Sequence, residues 1–160
     1  MKTLYLVRHA KSDWDNKNLS DIDRPLNTKG YADAHKMSLA LKEKNIFPDL
    51  IITSPAIRAI STALIFAGNL KFDPSEFVID RNLYETNVKH YINTIAKTDN
   101  HHKDIMLFGH NPIITDCANS LTASFTEKMA TCSIVGIRAN TVNWALIGEK
   151  LNELIYYAYP

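Results

Sequence analysis

An excess of charge of either sign is missing from this chain. Its 160 residues hold 18 Lys and Arg against 17 Asp and Glu, a formal net charge of +1. Without a basic stripe, nucleic acid is not an expected partner, and without an acidic tail nothing points to disorder. Any anion site must be assembled locally. Cysteine is scarce. Cys117 and Cys132 make neither a disulfide framework nor a zinc site, and they read as reduced small hydrophobes of a cytoplasmic protein. No apolar run approaches the roughly 20 residues of a membrane span. The run after Met1-Lys2 is cut short by Arg8, too early for the core of an export signal. Repeats and low-complexity tracts are also lacking. What remains is an ordinary mixture, 46% hydrophobic and 22% charged. It is long enough to bury one core and is read as one domain over residues 1–160.

Thr3-Leu4-Tyr5-Leu6-Val7 is a short apolar run without alternation, the pattern of a strand buried on both faces of a parallel sheet. Residues 50–53, 77–80 and 105–108 repeat it. Helical spacing fills the intervals. Tyr31, Ala34, Met37 and Leu41 follow an N-cap at Thr28, and Ile57, Ile60, Leu64 and Ala67 follow Ser54 as N-cap with Pro55 at the first helical position. Val88, Tyr91, Ile92 and Ile95 make a third stripe, and Ile113, Ile114, Cys117, Ala118 and Leu121 a fourth. Residues 133–138 and 142–147, separated by Ala139-Asn140-Thr141, read as an antiparallel hairpin at the sheet edge. Alternating strands and helices with short connections predict an α/β fold with a mainly parallel sheet.

Three of the four parallel strands end in chemically armed residues: Arg8-His9, then Ser54 to Arg58, then Gly109-His110. The remaining one is followed within a few residues by Glu85. In a parallel sheet all these ends lie on one rim, where ligands of α/β proteins bind. Two arginines and a helix amino terminus suit a tetrahedral dianion, and a histidine nitrogen can attack phosphorus in line. His9 is the expected nucleophile, through a covalent phosphohistidine later hydrolysed by water, and His110 stands opposite to donate to the equatorial oxygens. The rival use of two histidines is a metal site. Zinc usually takes three or four ligands, and arginines beside the same pocket would repel a cation, so no metal is expected there.

Leu6-Val7-Arg8-His9 resembles the signature of the histidine phosphatase (phosphoglycerate-mutase-like) superfamily. The stretch Ser54-Pro55-Ala56-Ile57-Arg58-Ala59-Ile60-Ser61-Thr62-Ala63 is similar to its second motif, and Gly109-His110 to its third. Within the superfamily, Asp21-Ile22-Asp23-Arg24-Pro25-Leu26-Asn27-Thr28-Lys29-Gly30 and Ala130-Thr131-Cys132-Ser133-Ile134 resemble the SixA-type phosphohistidine phosphatases. The resemblance implies a three-layer α/β/α sandwich and hydrolysis without metal or cofactor. It implies His9 as the phosphorylated residue, with Arg8, Arg58 and His110 completing the phosphate pocket. Arg24 and Asn111 are assigned to substrate binding beside them. Glu85 is the candidate proton donor. A departing imidazole, with a pKa of about 6.5, needs such an acid far less than an alkoxide does. The expected substrate is a phosphorylated protein, such as a histidine-phosphorylated phosphotransfer domain. The alternatives are a phosphatase of small phosphomonoesters on the same site, or a non-catalytic phosphoprotein-binding module.

Other conspicuous residues carry no assignment. His35 and His90 fall on helices, and His101-His102 reads as a loop tip. Trp14 is expected to roof the pocket or cap the core, and Trp144 to pack within the hairpin. Lys11 is a solvated charge or part of a rim that steers anions, the rim on which the SixA-like stretch places Arg24. Only residues 11–28 offer material for a lid, so an open pocket is expected.

Overall fold

The computed structural model describes residues 1–125 and 127–160. In chain order its main elements are β1 (Lys2–Arg8), α1 (Thr28–Glu43), β2 (Leu50–Thr53), α2 (Ile57–Asn69), β3 (Phe77–Ile79), α3 (Val88–Ala96), β4 (Asp104–Gly109), α4 (Ile113–Leu121), β5 (Ile134–Ala139) and β6 (Glu153–Ala158). The strands form one sheet in the order β3-β2-β4-β1-β5-β6. The first four are parallel, and β5 and β6 run antiparallel at the edge.

Successive strand side chains point to opposite faces, so each apolar run serves two cores. Leu4 and Leu6 of β1 join Ile105 and Leu107 of β4 beneath α3 and α4. Tyr5 and Val7 join Met106 and Phe108 beneath α1 and α2. This is the expected three-layer α/β/α arrangement. Among the described residues no helix is long and apolar enough to cross a membrane.

Several local expectations are corrected. Asn27, not Thr28, caps α1, its side chain accepting from Gly30 N at 2.8 Å. A Cβ on Gly30 would collide with the Lys11 carbonyl oxygen, so only glycine lets this first turn lie against the segment that follows β1. The helix α2 begins at Ile57 with Ala56 as N-cap, and Ser54 is left free for another task. Its buried face is also not the expected one. Arg58, Ala59, Thr62, Ala63 and Phe66 face inward, while Ile57 and Leu64 are 40% and 54% exposed. Two alanines let the helix axis come close to the sheet, and the arginine is drawn in by its partners.

The hairpin exists, but its second strand is β6 rather than residues 142–147. Trp144–Leu146 is instead a 3₁₀ turn capped by Asn143, whose side chain accepts from Ala145 N. Trp144 is fully buried, and its indole Nε1 donates to the His102 carbonyl at 2.9 Å. A buried indole needs such a partner, and this bond outweighs the β-propensity of the stretch. His102 is not part of an exposed tip, being only 7% exposed. Trp14 neither roofs nor caps. It is 70% exposed and stacks on the guanidinium of Arg24, whose Cζ lies 3.5 Å from the ring centroid. Arg24 itself is buried. Both cysteines are buried and unpaired.

Candidate active site

Strand order explains why the site can exist. The strands β2, β4 and β1 are neighbours, so Ser54, His110 and His9 leave the sheet side by side. Register brings the last residues level, with Arg8 opposite Gly109 and His9 N donating to Gly109 O at 3.1 Å. The His9 and His110 ring centroids are 5.1 Å apart.

His9 is held in one tautomer. Its Nδ1 lies 2.7 Å from the Ala10 carbonyl oxygen. A carbonyl only accepts, so Nδ1 carries the proton and Nε2 keeps its lone pair. The helix α2 fixes that carbonyl's residue. Ala10 N donates to Thr62 Oγ1 at 3.0 Å, and Thr62 Oγ1 donates to Arg58 O at 2.7 Å. His110 is fixed as firmly. Its Nε2 shares a 2.7 Å hydrogen bond with Ser54 Oγ, and its backbone N donates to the Tyr91 hydroxyl, which donates to Leu83 O. A Cβ on Gly109 would overlap that hydroxyl, so glycine is required where Tyr91 approaches the strand end.

The arginines come from two directions. Arg8 donates from Nη1 to Met129 O at 2.9 Å. Arg58 donates from Nη1 to Asp21 O and from Nη2 to Asp21 Oδ2. Arg8 Nε, Arg58 Nε and His110 Nδ1 are all buried and have no protein partner among the described residues. Buried polar atoms are normally paired. Three orphans converging on one rim mark a place where a group rich in acceptor oxygens fits.

The other expected residues take distinct places. Asn111 donates to Met129 O at 2.8 Å and accepts from Thr115 Oγ1, so it braces the carbonyl that holds Arg8. Glu85 is exposed and has a φ of 48°; it lines the same cleft of about 420 Å³ as Arg58, Tyr84, His110 and Asn111. Arg24 reaches the site through Asp21, donating to Oδ1 from Nε at 3.1 Å and from Nη2 at 2.9 Å. Asp21 is the residue that sequence reasoning missed. Its carboxylate accepts from Arg24, Arg58 and the Tyr84 hydroxyl at once. Ser54 was legible as a cap and as the first residue of the second motif but not as a partner of His110, and Tyr84 carried no signal beyond its closeness to Glu85.

Burial first, and this crowding of cations second, set the electrostatics of the site. Burial lowers the His9 pKa to about 4; the hydrogen bond to Ala10 opposes the shift, and the charges of Arg58, Arg8 and Arg24 add to it. Burial again leads for His110, lowered to about 3, with His9 and Arg58 adding to it and Asp21 opposing. Partial burial of Asp21 disfavours its charge, but the hydrogen bonds from Tyr84, Arg24 and Arg58 outweigh this and hold it well below the usual carboxylate range. Both folded histidine values lie below the ordinary 6.5, so the unfolded chain binds protons that the folded chain refuses. Their contribution to stability is whole above about pH 6.5 and is lost as pH falls toward 4. Each histidine adds a slope on the order of 1.4 kcal/mol per pH unit in that window. Urea midpoints taken between pH 7.5 and 4.5 should fall accordingly, and a flat profile would contradict neutral burial. Asp21 enters only below its ordinary value of 3.8, outside this window.

A parallel sheet whose carboxyl rim gathers two imidazoles and two guanidiniums defines a phosphate-handling α/β enzyme. The chain matches the family model of the histidine phosphatase superfamily (branch 1) over residues 4–112, more than half its length, and it belongs to that family. It is thus an enzyme of the phosphatase kind. It is 32% identical over 152 residues to an uncharacterized chloroplastic protein of Arabidopsis thaliana, covering 89% of this chain and 69% of that one. It is 39% identical over 93 residues to phosphoglycerate mutase 1 of Saccharomyces cerevisiae; the match takes in 57% of this chain but only 36% of the mutase. Its fold is of the SixA type. The structure of the protein histidine phosphatase SixA complexed with tungstate superposes with a TM-score of 0.82 at 20% identity, over 98% of this chain and 96% of that one.

Proposed function

We propose that this protein removes phosphate from phosphohistidine on another protein, through a covalent intermediate on His9. The observation that carries the reading is the His9 tautomer: Nδ1–H is tied to Ala10 O, which leaves Nε2 as the free nucleophile beside the orphaned nitrogens of Arg8, Arg58 and His110. His9 Nε2 attacks phosphorus as the substrate's P–N bond breaks, and the departing imidazole takes up a proton. Water then attacks the same phosphorus, the P–Nε2 bond breaks, and inorganic phosphate leaves with the proton that water gives up. Arg8 and Arg58 neutralise the equatorial oxygens throughout, so the pocket itself supplies the charge that this chemistry needs. A dianion in the pocket also favours protonation of His110, which turns its Nδ1 into a donor.

The likeness to a protein histidine phosphatase supports the substrate class, and the low demand of an imidazole leaving group agrees with it. Glu85 favours a second reading. It stands on the rim of the same cleft as His110 and could protonate an alkoxide, which would admit small phosphomonoesters. One assay separates the two. Phosphate release is measured from a histidine-phosphorylated phosphotransfer domain and from p-nitrophenyl phosphate, with chelator present, for wild type and Glu85→Gln. Strong preference for the phosphoprotein, with Glu85→Gln within about threefold of wild type on it, is the expected result. Preference for the monoester, with a large loss in Glu85→Gln, would move the function to the second reading. Binding of the phosphoprotein with no release of phosphate would make the chain a recognition module.

A further inference from the structure

At the opposite rim of the sheet the chain brings together side chains that the chemistry of His9 does not use. Glu76 immediately precedes β3, Asp49 precedes β2, and His101-His102 precede β4. These lie at the strands' amino ends, on the order of 20 Å from the His9 rim by the length of β4. One ligand atom each from Glu76, His101 and His102 lies within 4.8 Å of the others. We infer that Glu76, His101 and His102 form a binding site for a divalent transition cation of the Zn²⁺ class.

The geometry departs from what hydrogen bonding alone would build. His102 is buried, yet its Nε2 stands 3.5 Å from Glu76 Oε2 and its Nδ1 stands 3.6 Å from Asp49 Oδ1. Both gaps are too long for a hydrogen bond. Two donors on one tetrahedral Zn²⁺, each about 2.1 Å from the ion, are themselves about 3.4 Å apart. The His102–Glu76 spacing matches that figure. His101 also has a carboxylate within hydrogen-bond distance of its other nitrogen, the usual way of orienting a metal-bound imidazole, and His102 has one nearby at 3.6 Å. Asp49 faces Nδ1 of His102 and is itself anchored by the backbone amides of Lys103 and Asp104. Asp99 Oδ1 lies 2.9 Å from His101 Nδ1, so the Nε2 of His101 is the nitrogen left for an ion.

The backbone beneath is pinned from two sides. The His102 carbonyl takes Lys2 Nζ at 2.6 Å and Trp144 Nε1 at 2.9 Å, and the two imidazole rings lie with centroids 3.8 Å apart and planes tilted by 42°. Two imidazoles and a carboxylate are a donor set that suits borderline cations over Mg²⁺ or Ca²⁺. Three protein ligands leave a coordination position for a further group. Glu76, His102 and Asp99 also line a cleft of about 560 Å³ with Asp80, His90 and Lys97, where a small anionic ligand of the ion would have room.

The test is a Zn²⁺ titration of the full chain against a chromophoric chelator, read with thermal unfolding. The variants are Glu76→Gln and His101→Ala, both at accessible positions, and His9→Ala. Uptake of one Zn²⁺ per chain is expected, with a rise in Tm because the ion binds only the folded form. Each of Glu76→Gln and His101→Ala should weaken uptake at least about tenfold and remove the Tm rise, with the metal-free Tm unchanged. Uptake that survives both variants, uptake lost in His9→Ala, or no saturable uptake would each overturn the site.

Discussion

His9→Ala should lower phosphate release by about 10⁴-fold or more while leaving the chain folded. The proposed route passes through a bond to His9 Nε2, and no other side chain of the pocket is placed to substitute. Arg8 and Arg58 have no lone pair to offer, and His110, protonated beside the bound dianion with Nε2 on Ser54 Oγ, has none either. Binding and charge neutralisation survive in the variant, so some release by direct attack of water is the expected residue of activity. The structural cost is small. The Ala10 carbonyl loses one hydrogen bond, and a buried imidazole that resists protonation is removed. The acid limb of the stability profile should therefore flatten in the variant even as turnover disappears. Labelling with phosphorylated substrate gives the independent reading. Wild type quenched in alkali should carry an acid-labile phosphoryl group, and His9→Ala should carry none. Retained turnover in His9→Ala would remove the covalent mechanism.

The parts of the molecule that sequence reveals are those whose neighbours in space are neighbours in the chain. Arg8-His9 and Gly109-His110 adjoin their strands, and Arg58 opens a helix just past β2, so a parallel sheet suffices to bring them to one rim. Asp21 could not be found this way. Its partners Arg58 and Tyr84 are 37 and 63 residues distant, and an aspartate in a polar loop looks solvated until the arginines arrive. Ser54 shows the same ambiguity, because serine before proline signals a cap whether or not a histidine waits across the strand ends. The misplaced second strand of the hairpin has a related cause. Residues 142–147 have the composition of a strand, but the hydrogen bonds of Trp144 to Asn100 and His102, more than 40 residues away, hold them in a turn. The inward face of α2 was misjudged because apolar counting assigns Ile57 and Leu64 to the core, while the site requires Arg58 and Thr62 there.

Arg58→Ala should cost more than the removal of one arginine from a phosphate pocket, on the order of 10³-fold in kcat/KM. The reason is Asp21. In wild type the Asp21 carboxylate is neutralised from three sides, and Arg58 supplies both a charge and a backbone contact. Without Arg58 the carboxylate is still held by Arg24 and Tyr84, so it stays ionised and stays in place. It then faces the cleft with one of its two cationic partners gone, and the negative charge left over repels the incoming phosphate. Adding Asp21→Asn to Arg58→Ala removes that repulsion and should recover about tenfold. The single Asp21→Asn variant loses activity because Arg58 and Arg24 are no longer aimed. Arg58→Lys should fall between, since an ammonium keeps the charge but cannot engage Asp21 and a phosphate oxygen through one planar fork. The histidines give a second readout. Arg58 is among the charges that lower both His9 and His110, so its loss should raise both pKa values and shift the acid limb of the rate profile toward neutral pH. A double variant no better than Arg58→Ala would show that Asp21 acts only as a brace. Recovery would make the aspartate the group that fixes how strongly the second arginine is committed to the substrate.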